Sequence, residues 1–475
     1  MLRNKAVRAY LLLVGLPLLL LLFVLRTGSS LTAPAWTAAQ QKAAVAAAPA
    51  PMNLFLLVLQ VAVVLGVSRI AGILFRKIGQ PQVVGEMVAG ILLGPSLLGW
   101  MAPELSKFIF PAASLGYLNA LSQIGLVIFM FLVGIELNPQ ELKKNGEAAV
   151  VTSHASIVTP FCLGSALAVL LYPKLSHQGV SFTSFALFMG SAMSITAFPV
   201  LARILTERNL LGTRMGTLSI SCAAVDDVTG WCILAYIVIL VRAESSSASL
   251  WATIGGVIAY IAVMMLGIRR LLPRFESSLK RHGRLTENAL AFMITLAMLS
   301  ALTTEKLGIH SLFGAFFLGA IMPKSAAFTR AVGDKLESLT VVALLPLFFA
   351  FSGLRTSLGA VQGQYWIYTL LVIAVAILGK FGGSMFAARL SGISWRDASS
   401  LGILMNTRGL MELIALNIGL DIGVISQTMF SMMVVMALVT TFMTSPLLEW
   451  IYRPEPVAED VDFKVPHRIP ADQPT

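Results

Sequence analysis

The chain has 475 residues, 57% of them hydrophobic and only 12% charged, with a mean hydropathy of +0.83 and a formal net charge of +11. A water-soluble chain carries roughly twice that charged share, so the composition excludes a row of soluble domains and makes lipid the solvent. The basic residues sit in short loops without interleaved aromatics, which argues against nucleic acid, and Cys162, Cys222 and Cys232 fall inside apolar runs, which argues against a disulfide framework or metal cluster.

The first apolar run, Tyr10 to Leu25, follows Arg3, Lys5 and Arg8 and precedes an Ala/Pro stretch ending at Pro51; it reads either as an uncleaved helix or as a signal sequence. About thirteen further spans are long enough for a hydrocarbon core of ~30 Å, at 53–75, 83–100, 119–137, 148–172, 182–205, 214–241, 248–268, 288–304, 310–322, 338–355, 364–389, 397–420 and 425–449. The fifth, ninth and tenth are short or carry internal Gly and Pro. The expected layout is an N-terminal segment at 1–51, one membrane domain at 52–452 and a short tail at 453–475.

Alternate loops differ sharply in charge. Arg69, Arg76 and Lys77, Lys143 and Lys144, Arg203, Arg208 and Arg214, the cluster from Arg269 to Arg284, and the C-terminal tail all fall on one side. Because Lys and Arg collect in cytoplasmic loops, that side and the tail are assigned to the cytoplasm. Gly85, Gly90 and Gly94 of the second span share the spacing of Gly314, Gly319 and Pro323 of the ninth. With spans one to six and eight to thirteen as repeats, the odd span between them inverts one half relative to the other. The expected fold is therefore an all-α polytopic membrane protein of two inverted repeats.

The sixth span reads SISCAAVDDVTGWCILA and places Asp226 and Asp227 among apolar residues. An intramembrane Asp costs on the order of 3 kcal/mol, so a proton, a cation or a fixed positive charge must compensate each of them. Neighbouring helical positions point about 100° apart, so the two carboxylates have different partners: one coordinates an ion, the other pairs with a buried base. Lys380, in AVAILGKFGGSMFAARL, is the candidate base, and Gly379, Gly382 and Gly383 beside it permit close helix approach.

Two spans are interrupted. In the fifth, GSAMSITAFPVLARIL, Pro199 removes a backbone donor beside Ser194 and Thr196, and the expected break frees carbonyls for a dehydrated cation. In the twelfth, Asn406, Thr407, Arg408 and Gly409 interrupt the apolar run, and Glu412, one turn past Arg408, is either its helical ion-pair partner or part of a transport pathway. Interrupted helices at the same place in both repeats point to a substrate site. Glu86 is expected to line a cytoplasmic vestibule, Glu136 to face water, and His154 to be a packing residue.

The motifs GEMVAGILLGPSLLG, FLVGIELN, SITAFPVLARIL, AAVDDVTGW, GKFGG and MNTRGLMEL, in this order between residues 53 and 450, resemble the cation:proton antiporter 2 family, which includes bacterial sodium/proton antiporters, Kef-type membrane domains and plant cation/proton exchangers. The resemblance implies a homodimer in a bacterial inner membrane, with a mobile core that moves in an elevator-like step, two broken helices that cross beside the carboxylates, and no cofactor. It assigns Asp227 as the carboxylate for protons and a monovalent cation, Na+ or K+, Asp226 as the partner of Lys380, and Thr196 and Pro199 to the first crossing break, with Thr196 expected at the ion. The chain ends soon after its last span, unlike the Kef pattern, so regulation by a soluble nucleotide-binding domain is not expected. Two other functions share some of these features. A potassium channel would also use carboxylates and freed carbonyls, but no TVGYG-type filter is present. An intramembrane aspartyl protease needs two carboxylates that face each other, which adjacent residues on one helix do not supply.

Overall fold

The structure is a computed structural model and describes residues 10–34, 53–136, 146–208, 210, 213–245 and 250–452. The described residues form helices and connecting turns, with no strand among them. In chain order the principal elements are α1 (Leu11–Gly28), α2 (Leu54–Lys77), α3 (Gln82–Leu93), α4 (Leu115–Glu136), α5 (Gly146–Leu175), α6 (Phe182–Ser194), α7 (Phe198–Glu207), α8 (Arg214–Ser245) and α9 (Gly255–His282). Then follow α10 (Glu287–Lys306), α11 (Ser311–Ile321), α12 (Ala326–Leu339), α13 (Leu345–Leu354), α14 (Tyr365–Leu390), α15 (Trp395–Met405), α16 (Leu410–Asp421) and α17 (Gln427–Ile451).

Each expected span has its counterpart in this series. Among the described residues, eleven helices are long and apolar enough to cross a membrane, twelve with α15 and α16 joined as one bent span, and α6 and α11 are shorter apolar helices. The chain is a multi-pass integral membrane protein. Local chemistry sets several starts: Asn53, Ser181, Thr286, Ser394 and Ser426 precede α2, α6, α10, α15 and α17, and each side-chain oxygen accepts a backbone N–H of the first turn that has no helical partner.

The helices pack as two bundles, one of α2, α3, α4, α10, α11, α12 and α13, the other of α5 to α8 and α14 to α17. The glycine echo in the sequence finds its physical meaning in the first bundle. A Cβ on Gly85 would meet the Ala71 carbonyl of α2 at 2.7 Å, and one on Gly90 would meet the Ala350 carbonyl of α13 at 2.4 Å. In the second half, a Cβ on Gly314 would meet the Ser300 carbonyl of α10 at 2.3 Å, and one on Gly319 the Phe131 carbonyl of α4 at 2.2 Å. The second helix of each repeat thus lies backbone to backbone on its predecessor and on the third helix of the other repeat, contacts that only glycine permits.

Helix α1 lies along α5. Leu21 packs with Phe161 and Cys162, and the Tyr10 ring meets His154 edge-on at 5.7 Å.

Candidate functional site

Both interrupted helices are broken where expected. Helix α6 ends at Ser194 and α7 begins at Phe198, with Pro199 as its second residue; α15 ends at Met405 and α16 begins at Leu410, with a 43° bend between them. The breaks touch, because the Ala197 N–H donates to the Thr407 carbonyl at 3.0 Å. Gly409 belongs to this contact, since a Cβ there would lie 2.8 Å from Val200.

Helix α8 passes the crossing and presents the two aspartates to different surroundings. Asp226, 1% exposed, is saturated: its Oδ2 accepts from Lys380 Nζ at 2.7 Å, Ser156 Oγ at 2.6 Å and Thr196 Oγ1 at 2.8 Å, and its Oδ1 accepts from Ser153 Oγ at 2.8 Å. Lys380 is equally occupied, because it also donates to the Ser156 and Ser194 carbonyls at 2.9 and 2.6 Å. An ion pair taken fully out of water is tolerable only with such a complete set of hydrogen bonds. A π-helical turn, Leu378–Gly382, carries Lys380, and the glycines beside it let the turn reach α5: Cβ atoms on Gly379 and Gly383 would lie 2.7 Å from Pro160 and 2.8 Å from Thr159.

Asp227 is different. It is 6% exposed, it takes a backbone hydrogen bond from Phe198 at the start of α7, and its Oδ1 has no hydrogen-bond partner. The carboxylate borders a cavity of about 10 Å³ between Ile195 of the first break, Met411 of α16, and Gly230, Trp231 and Leu234 of its own helix. That volume is close to one water-sized sphere, room for one small unhydrated species. An oxygen with no donor, bordering a cavity of that size and at a helix N-terminus, is a carboxylate position at the crossing free to take a ligand. Because Asp226 is spent on fixed partners and Asp227 faces another space, the two do not form the shared-proton pair of an aspartyl protease.

Sequence reasoning expected the first break to leave carbonyls free, but the fold spends them. The Arg408 guanidinium, fully buried, donates to the Ala192, Met193 and Ile195 carbonyls at 3.0, 2.5 and 2.9 Å, and Lys380 takes Ser194. Two cations of the second repeat thus close the end of α6 in the first, where the helix dipole is negative. The backbone of Arg408 is itself clamped by Thr441, whose hydroxyl accepts its N–H and donates to its carbonyl. Glu412 is buried 3.7 Å from Arg408, and neither of its oxygens has a hydrogen bond; Asn406 Oδ1 and Thr407 Oγ1 are likewise buried without a partner. Thr196, expected at the ion, reaches Asp226. Ser194 joins through its carbonyl. Glu86 is buried and accepts from Gln82 at 2.8 Å, while Glu136 is exposed. Ser153 and Ser156 escaped sequence reasoning; their only signal is the small-polar run of SHAS in α5, one turn from Pro160.

Several known proteins similar in sequence or fold are cation/proton antiporters by name. The chain is 45% identical over 405 residues to the Na+/H+ antiporter NhaS4 of Synechocystis sp., covering 84% of this chain and 98% of that one. It is 41% identical to Cation/H+ antiporter 17 of Arabidopsis thaliana and 32% identical to K+/H+ antiporter 1 of Saccharomyces cerevisiae, covering 86% and 85% of this chain but only 50% and 47% of theirs. The fold matches the solved sodium proton antiporter MjNhaP1 of Methanocaldococcus jannaschii with a TM-score of 0.61 at 17% identity, over 84% of this chain and 97% of that one. Residues 61–451 match the family described as sodium/hydrogen exchanger, transmembrane, and with that match the chain belongs to this family of transporters.

Proposed function

We propose that the chain exchanges a monovalent cation, Na+ or K+, for protons, and that both bind in turn at Asp227. The observation that carries this reading is the contrast inside one dipeptide: Asp226 is filled by four donors, while Asp227 keeps an unpartnered oxygen on a small cavity at the helix crossing. A buried carboxylate that must be neutralised either by a proton or by a cation exchanges one for the other. An empty, ionised Asp227 is the costliest state to move through a low-dielectric region, so coupling follows from the cost of moving it unloaded. The names of the relatives, sodium, potassium and unspecified cation antiporters, support antiport and leave both cations in play.

The same reading has the bundle that carries α5 to α8 and α14 to α17 move as a body against the other in an elevator-like step, in a homodimer whose C-terminal tail is cytoplasmic. The closure of each bundle around its own contacts supports the step, the loop charge pattern supports the orientation, and the homodimer rests on the family resemblance alone. Reconstituted protein with an entrapped pH dye tests the core claim. Pulses of Na+, K+ or Li+ drive proton movement in the wild type, and undiminished movement in Asp227→Asn defeats the assignment.

A further inference from the structure

Asp227, Gly230, Trp231 and Leu234 fall at i, i+3, i+4 and i+7 of α8 and share one face of it. Trp231 therefore stands one turn from the carboxylate, toward the C-terminal end of α8, and its indole is a wall of the Asp227 cavity. Its outer side meets the other bundle. The indole and the Phe313 ring of α11 pack edge to face, with centroids 5.2 Å apart and planes at 89°, and the Phe316 ring stacks at 6.4 Å and 28°. These two phenylalanines belong to a fixed wall, because α11 is held backbone to backbone against α4 and α10; a Cβ on Gly134 of α4 would lie 2.3 Å from the Phe316 carbonyl. One side of the aromatic cluster thus belongs to the helix of the aspartate and the other to the opposite bundle.

We propose that Trp231 is the lid of the Asp227 cavity: seated on Phe313 and Phe316, it seals the cavity toward the C-terminal end of α8, and its departure from these rings admits a cation from that side. This rests on the exchange reading above and adds the residue that gates it. With the lid seated, the cavity of about 10 Å³ holds no hydrated ion. Two aromatic contacts hold the lid, enough to set its closed population without making it permanent.

The test uses the full chain in membrane vesicles, with Cys162, Cys222 and Cys232 replaced by Ala and one cysteine introduced by Gly230→Cys. That position has room, since a Cβ there meets only the Ile195 side chain, at 3.5 Å. A membrane-impermeant maleimide is applied at the face opposite the basic loops. Trp231→Ala is expected to speed labelling roughly tenfold, and Trp231→Phe, which keeps an aromatic plug, by no more than about threefold. Should Trp231→Ala fail to fold, the double change Phe313→Ala with Phe316→Ala removes the seat from the opposite wall and carries the same tenfold expectation. Unchanged labelling in a folded variant overturns the lid. Cation-driven proton movement measured in the same vesicles with Asp227→Asn tests the exchange reading separately: faster labelling together with exchange that ignores Asp227 overturns the cation-gating claim, although the seal itself is real.

Discussion

Lys380 Nζ lies 2.7 Å from Asp226 Oδ2, and both side chains are completely removed from solvent. Removing one partner strands the other as a buried charge. Lys380→Met is therefore expected to destabilise the protein by about 3–5 kcal/mol, and Asp226→Asn by a similar amount, whereas the double variant recovers much of the loss. Thermal unfolding in detergent, run as a double-mutant cycle, checks this; additive losses would show that the pair is not the coupling unit.

Asp227→Asn behaves oppositely. Its unpartnered oxygen means that no hydrogen bond is broken by neutralising the side chain, so thermal stability is expected to hold or rise while exchange is lost. A clear fall in Tm, matching that of Asp226→Asn, would contradict the division of roles within the dipeptide.

The proposed competition for one carboxylate fixes the sign of the pH dependence. Where Asp227 is mostly protonated, each unit fall in pH raises the cation concentration for half-maximal exchange by about tenfold, and added cation lowers proton occupancy to the same degree. Initial rates across a matrix of pH and cation concentration measure this. A KM independent of pH would mean separate sites for the two substrates.

Arg408→Lys is not a mild change. The guanidinium reaches three carbonyls at once and an ammonium on a shorter stem does not, so about 2–4 kcal/mol of stability is expected to go, together with exchange. Glu412→Gln keeps the side chain's shape, breaks no hydrogen bond and leaves Arg408 its three carbonyls, so it is expected to cost less in unfolding measurements.

Gly90→Ala is expected to cost about 1–3 kcal/mol, because its methyl meets backbone at 2.4 Å. Gly66→Ala, on an open face of α2, is expected to gain up to about 1 kcal/mol from helix propensity. Paired melting curves decide whether close approach, rather than glycine content, is what the fold requires.

The spans were legible because a hydrocarbon core imposes a length on every helix, and the breaks because Pro199 and the polar run at 406–409 violate that rule locally. Lys380 was legible as a partner because an intramembrane lysine needs one. What escaped was reach across helices. Arg408 has Glu412 one turn away in sequence, the obvious partner, yet its hydrogen bonds go to the end of α6, more than two hundred residues earlier. Ser153 and Ser156 look like ordinary small residues in a membrane helix until the fold sets them beside Asp226. Sequence periodicity reports which face a residue takes and carries nothing about what another helix brings to that face.

The glycine contacts that join α3 to α13 and α11 to α4 leave no clearance within that bundle: backbone rests on backbone, with no side chain in between to yield. Across the seam to the other bundle the materials change to aromatic rings at Trp231 and to a salt link of Arg355 with Asp421, both of which can part and re-form. The molecule therefore resembles a stiff bearing housing with a compliant lining. In the proposed exchange, displacement is directed to the lining, where it opens or closes the way to Asp227, and the housing keeps its shape.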